Sequence, residues 1–493
     1  MPGLVAGFAL VAVVLVIAGL ASGLVRRAPI SFPIIFLGLG SVLGEHGLGV
    51  LTLGPEGALL ETVATLTLVL VLSLEGIQIG RERGTGGAGA IPILSLGPGT
   101  VIIIAIVAAG AYLLLGTSVI ESLLLGTLLA STDPVVLREV VADERIPRSV
   151  RQALNIEAGT NDIVVLPILL VLIELATGGA NGVAGWALFA VQILLLGPAI
   201  GVALGVVGAW LLNRTNERYS VSRQYQALYG VGVVLLSYSS AQALVGDGFL
   251  AAFAAGFAVA TLDFDLIDSF FEYGDTTSEI TMLLAFTLFG AVISSLFGEV
   301  PLVPVLLLAV IVIFVARPMA IGIVLRHAAV SNAARAFIGW FGPRGLNSLL
   351  LVLLVVQAGI AGAESLMAVV GVVVTASVLV HGVSATPLSG LYGRMVESDT
   401  RKEEREGDAG GIFEGEATDA PRLSPDDLAG MLQSDSPPVL LDVRTRSQYE
   451  RDGSSIPGSV RVRPDEVEEW AREWEEEHKE NQIEGQRVVT YCT

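Results

Sequence analysis

Carboxylates lodged in apolar sequence constrain this chain more than any other feature. Residues 131–167 read STDPVVLREVVADERIPRSVRQALNIEAGTNDIVVLP, and Asp133, Glu157 and Asp162 fall in segments otherwise suited to crossing a bilayer. A carboxylate in hydrocarbon is expensive and faces a partner, a cavity or an ion. Asn161 and Asp162 follow Glu157 by four and five positions, so on one helix the three share a broad face. Pro134, directly after Thr132 and Asp133, removes a backbone donor from an apolar run and predicts a broken helix. A broken helix beside buried carboxylates is how secondary transporters build a cation site at mid-membrane.

Apolar runs of about 20 residues, enough to cross a bilayer, recur along the chain. They lie near 3–25, 30–49, 57–79, 93–115, 119–142, 149–176 and 184–212, then 222–245, 246–262, 278–298, 302–326, 333–360 and 363–392. That pattern predicts an all-α polytopic membrane protein with about thirteen spans, the second and ninth short and glycine-rich. The first run lacks a basic start and a small-residue cleavage site, and reads as a membrane helix instead of a removed leader. With 53% apolar residues, a wholly soluble protein is excluded.

Arginine tests the count. Arg26, Arg81, Arg138, Arg145, Arg151, Arg214, Arg326 and Arg394 fall in alternate loops or the tail, whereas the loops near Glu45, Gly116, Gly179, Asp247, Glu299 and Glu364 carry no basic residue. The positive-inside rule places the arginine side in the cytoplasm. An odd number of spans then leaves the N-terminus outside and the C-terminal part inside. Asp263 to Glu279 holds six acids and no base, and is expected as a cytoplasmic loop. It reads as an acidic funnel collecting cations or as plain surface acidity.

Arg317 and Arg344 are the basic side chains that fall within spans. Arg344 sits in FGPRGLNSL, where Gly342, Pro343 and Gly345 interrupt a helix, so the chain carries two broken helices in corresponding places of two halves. His381, late in the last span, is expected to pack through hydrogen bonds. Glu75, in LSLEGIQIG, is expected to be structural, with a lesser prospect of lining the path.

These residues carry a resemblance. TDP followed by E-x-x-x-N-D, with ARP at 316–318, FGPRG at 341–345 and HGVSATPL at 381–388, resembles the cation/proton antiporters, in particular the electroneutral sodium/proton exchangers of the NhaP type. The likeness covers residues 1–395. It implies inverted repeats with two crossed broken helices, a homodimer in the cell membrane, and antiport of a proton for a monovalent cation, Na⁺ or alternatively K⁺, in pH and sodium homeostasis. No cofactor is implied beyond the transported ions. On this reading Asp162 binds cation and proton in turn, and Thr132, Glu157 and Thr160 complete the candidate ion ligands. Asp133 neutralises helix N-termini at the crossing, and Glu157 pairs with Arg317 or Arg344. The resemblance also implies that Asn161, in place of a second aspartate, goes with electroneutral exchange. Ala158 departs from the pattern, since related antiporters often hold a serine there.

From residue 396 to 421 the chain is charged, glycine-rich and non-periodic, as in a flexible linker. Residues 422–493 then alternate helix and strand signals, predicting a small α/β domain with a parallel sheet. LLDVRTRSQYERDGSSIPGSV and RVVTYC resemble the rhodanese-like fold. The resemblance makes Cys492 a candidate persulfide site, but the sequence ends at Thr493, before the loop that would close such a site. Sulfur or redox sensing that gates the membrane part is the competing reading. The net charge of −20, with Lys402 and Lys479 as the only lysines, fits a salt-rich cytoplasm and argues against nucleic acid as partner.

Overall fold

The structure is a computed structural model. It describes residues 2–25, 31–82, 90–143, 145–180, 182–262, 264–298, 300–326, 328, 330–399, 425–432, 437–443, 455–462, 467, 470–471, 474 and 488–491. The chain divides into two compact units, Met1–Phe413 and Glu414–Thr493.

In the first unit, α1 (Pro2–Val25), α2 (Phe32–Leu43) and α3 (Ala58–Glu82) precede a composite helix. It consists of α4 (Ala90–Leu94), a π turn (Ser95–Gly99) and α5 (Thr100–Leu115). Next come α6 (Val119–Leu128) and α7 (Pro134–Val141), the halves of a broken helix, and then α8 (Arg148–Thr177). A second composite joins α9 (Gly182–Ala190), a π turn (Val191–Leu196) and α10 (Gly197–Tyr219), followed by α11 (Arg223–Ala243), α12 (Gly248–Leu262) and α13 (Phe264–Leu296). A third joins α14 (Leu302–Val310), a π turn (Ile311–Ala316) and α15 (Arg317–Val324). The second broken helix, α16 (Asn332–Trp340) and α17 (Leu346–Gln357), leads to α18 (Ala363–Asp399).

Helix occupies each of the thirteen apolar stretches. Among the described residues, seven helices are long and apolar enough to cross a membrane and five more are shorter apolar helices. Local signals set several ends. Ser118 and Glu121 form a reciprocal capping box that starts α6, and Gly116 and Gly178 close α5 and α8 in the left-handed region.

The expected loop at 263–279 is corrected: α13 already begins at Phe264. Its 33 residues span about 50 Å at 1.5 Å per residue, more than the roughly 30 Å of hydrocarbon. The stretch long and apolar enough to cross starts at Gly274, so the acidic first turns of α13 precede it.

Two groups of helices pack internally. One sets α3 and α10 against α12, and α2 and α3 against α13. Its contact helix α12 buries Ala251, Ala252, Ala255 and Ala258, small residues that let helix backbones approach. The other sets α5 on α6, α7 on α8 and α18, α15 on α16, and α17 on α18. A continuous core containing Phe36, Phe286 and Phe289 joins the two.

The second unit holds α19 (Pro425–Leu432) and three strands, β1 (Val439–Asp442), β2 (Val460–Arg461) and β3 (Val488–Tyr491). They form a parallel sheet of order β2-β1-β3. Leu440, Leu441 and Asp442 are all buried, as a central parallel strand covered on both faces requires. Leu441, Val443 and Val462 make its core, with Trp470 packed on them. Cys492 and most of the expected linker lie outside the described residues.

Candidate cation site

The two breaks meet. Between α6 and α7, residues 131–133 are non-helical, and between α16 and α17, residues 341–345 are. The Asp133 N–H donates to the Pro343 carbonyl at 2.9 Å. Four half-helix ends therefore point at one place, with unsatisfied N–H groups and carbonyls whose partial charges need opposite partners.

Asp133 and Arg344 supply them. The Asp133 carboxylate accepts from the N–H of Val135 through Oδ1 and of Leu346 through Oδ2, each at 2.7 Å, capping α7 and α17 together. Arg344 donates from Nη1 to the carbonyls of Ala130 at 2.8 Å and Ser131 at 3.0 Å, at the C-terminal end of α6. Both side chains are buried. A side chain at position 345 would overlap the Asp133 carboxylate and one at 342 would overlap Arg317, so both glycines of FGPRG make room for charged groups.

Helix α8 brings its two carboxylates to different neighbours. Glu157 pairs with Arg317, both about 3% exposed, and Arg317 Nε also donates to the Ile338 carbonyl at 3.3 Å near the end of α16. Asp162, fully buried, meets neutral donors: Ser131 Oγ at 2.7 Å on Oδ1 and Asn347 Nδ2 at 2.6 Å on Oδ2. The other candidates lie close by in sequence but are engaged differently. The Thr160 hydroxyl donates to the Ile156 carbonyl of its own helix at 2.6 Å. Thr132 Oγ1, Asn161 Oδ1 and Glu157 Oε2 are buried and make no hydrogen bond among the described residues, and the same holds for both Glu75 oxygens.

His381 braces the second break. Its Nε2 lies 3.1 Å from the Trp340 carbonyl and its Nδ1 3.2 Å from Ser377 Oγ, which accepts from the Arg344 N–H at 2.8 Å. Nδ1 also lies 2.9 Å from the Ser377 carbonyl, so both ring nitrogens face a carbonyl, and a neutral imidazole, with its single N–H, donates to one of them.

A cleft of about 650 Å³ reaches this region, lined among others by Glu75, Gln78, Asn155, Ala158, Gly159 and Asn347, with Arg138 and Asp275 also on its wall. Ser131 and Asn347 hold the central carboxylate, yet neither was singled out in the sequence. The signal was available: each is a polar residue beside a helix break, three or fewer positions from Asp133 or Arg344. Among the described residues no three His, Cys, Asp or Glu side chains group as for a metal ion; a monovalent cation needs only one carboxylate with neutral oxygens.

Comparison with known proteins shows the family and the fold. The transmembrane sodium/hydrogen exchanger family matches residues 11–390, and the rhodanese-like domain family matches residues 424–493. A protein named K(+)/H(+) antiporter NhaP from Alkalimonas amylolytica is 25% identical over 363 residues, covering 72% of this chain and 61% of that one. K(+)/H(+) antiporter NhaP2 of Shewanella baltica is 27% identical over 381 residues, covering 76% and 64%. The chain thus spans less than two thirds of the length of these curated relatives. The structure of the sodium proton antiporter MjNhaP1 from Methanocaldococcus jannaschii at pH 8 superposes with a TM-score of 0.64 at 18% identity, covering 81% of this chain and all of that one. The helical membrane fold is shared.

Proposed function

The chain belongs to the sodium/hydrogen exchanger family, and from that premise we propose that it is a secondary antiporter exchanging a proton for a monovalent cation at Asp162. The observation that carries this reading is a buried carboxylate held by the neutral donors Ser131 and Asn347 where two broken helices cross. Among the described residues no fixed cation pairs with it, so a proton or a metal cation can cancel its charge in turn. Occupancy by one excludes the other, and that competition is the coupling.

The rest of the site positions this group. Asp133 and Arg344 hold the half-helices in register, and the Glu157–Arg317 pair anchors the stretch of α8 that carries Asp162. The Ser131 hydroxyl can turn its lone pairs to a cation, and the Asn347 amide can present its oxygen by rotating. Thr132 and Thr160 are the further oxygen ligands, Glu157 a ligand through its unpartnered Oε2.

Na⁺ is the cation this reading favours, as a hard ion matched to carboxylate, hydroxyl and carbonyl oxygens. K⁺ is the second reading, because the relatives that match this chain are named K(+)/H(+) antiporters. Exchange is electroneutral, on the ground that Asn161 leaves one titrating group at the centre. The functional unit is a homodimer of a thirteen-span domain, residues 1–395, with its N-terminus outside. A linker, 396–421, ties it to a cytoplasmic rhodanese-like domain, 422–493. The role served is pH and sodium homeostasis.

Fluxes in proteoliposomes test this. Pulses of Na⁺, Li⁺ and K⁺ against a proton gradient read selectivity, and a potential imposed by a second ionophore-carried ion reads electroneutrality. No cation-driven proton movement overturns the antiport assignment; rates that follow the potential steeply overturn electroneutral exchange.

A further inference from the structure

The cleft that leads toward Asp162 is bridged by an arginine. Arg138, in the last turn of α7, donates from Nη2 to Asp275 Oδ1 at 3.2 Å and lies 3.7 Å through Nη1 from Glu279 Oε2. Both acids belong to α13. Helix α7 packs on α8 and α18, and α13 packs mainly on α2 and α3 with a smaller contact on α18, so the bridge spans the cleft from α7 to α13. Arg138 and Asp275 both line the cleft, together with Glu75, Asn155 and Asn347 deeper in.

A guanidinium is an odd choice beside a path for cations, because it repels them. Two carboxylates on one arginine leave the place net negative, which removes the repulsion while the arginine holds its post. The strength of the contact is equally telling. The three side chains are 46%, 46% and 35% exposed, and ion pairs that open to water are weak and screened by salt. The Glu157–Arg317 pair is buried, and a buried pair cannot be broken cheaply. One pair is built to persist and the other to open.

We propose that Arg138 sets cation access to the cleft: its bridge to Asp275 and Glu279 is a latch that closes the mouth, and its release exposes the path to Asp162. The identity of the path as a cation route rests on the antiport reading above; the latch itself does not.

Accessibility of the cleft wall separates the two. Met282 lines the cleft two helical turns beyond Asp275 on α13 and is buried. In a Cys492→Ser background, Met282→Cys carries the one thiol of the protein, and a small uncharged maleimide reads its exposure in nanodiscs. Arg138→Gln, and separately Asp275→Asn with Glu279→Gln, should each speed labelling by about two- to five-fold, the range an exposed pair supports. Raising ionic strength with choline chloride should speed labelling of the unaltered latch and leave both variants unchanged. Equal labelling in all three proteins, or labelling slowed by either variant, overturns the latch. The same proteins in vesicles keep the function separate. An intact latch protein that labels as expected but moves no cation refutes antiport and spares the latch; normal antiport with unaltered labelling does the reverse.

Discussion

Glu157 and Asp162 sit five residues apart on α8 and meet opposite surroundings. Glu157 faces a cation, Arg317, in a pair sealed from water. Asp162 is sealed as fully, and its hydrogen-bond partners among the described residues are a hydroxyl and an amide. Burial alone therefore does not distinguish a carboxylate that works from one that holds; the charge of its neighbour does. A paired acid already has its counter-charge and can lend an oxygen without trading that charge, whereas an acid among neutral donors must recruit its counter-charge from outside.

The largest effect should come from neutralising the recruiting acid. Asp162→Asn keeps shape and can still meet Ser131 and Asn347, so the protein should insert and melt nearly as before while cation-driven proton flux falls to background. Flux near that of the unaltered protein would erase the contrast.

Next is the holding acid. Glu157→Gln strands Arg317 in a buried place, and losing one member of such a pair costs about 3–5 kcal/mol. Thermal melting should show that loss, and Arg317→Met added to it should recover part. Strictly additive losses would mean the two side chains do not act as a pair.

A smaller change is expected at Asn161. Asn161→Asp places a second acid beside Asp162, and two like charges at one site exchange protons as a coupled pair. The pH profile of exchange should move or its maximum fall. An unchanged profile would leave Asn161 as packing.

The smallest effect is expected at an ion pair outside the spans. Arg145 grips Asp143 through one edge of its guanidinium, Nε and Nη2, and holds that carboxyl below the usual range. Because its folded pKa is lowered, the stabilisation is present above the usual carboxylate range and is lost as pH falls through the lowered value. Asp143→Asn should cost under about 1 kcal/mol at neutral pH, as for pairs open to water. Its melting difference from the unaltered protein should vanish in strong acid. A loss as large as that of Glu157→Gln would refute the distinction between sealed and open pairs.

Much of this arrangement could be read from residue order. Pro134 and the FGPRG glycines announced both breaks because they forbid continuous helix, and the carboxylates stood out because hydrocarbon does not tolerate them. Which arginine meets Glu157 could not be read, since both candidates fall in spans and only packing brings Arg317 across from another helix. Ser131 and Asn347 were hidden for a related reason: single neutral polar residues are ordinary in membrane helices and become conspicuous only when a carboxylate is found between them. The acidic start of α13 hides its helix for the opposite reason: a run of charge resembles a loop, yet α13 is helical from Phe264.

The π turn at Ile311–Ala316 has a consequence for the anchor of the site. Such a turn holds an extra residue, and one residue is about 100° of rotation around a helix of 3.6 per turn. Arg317, the next residue, is thus dialled about a quarter-circle away from where the apolar rhythm of α14 would aim it. The clasp on Glu157 is a matter of angular phase: trimming one residue from the turn would leave composition and hydropathy intact and point the guanidinium elsewhere.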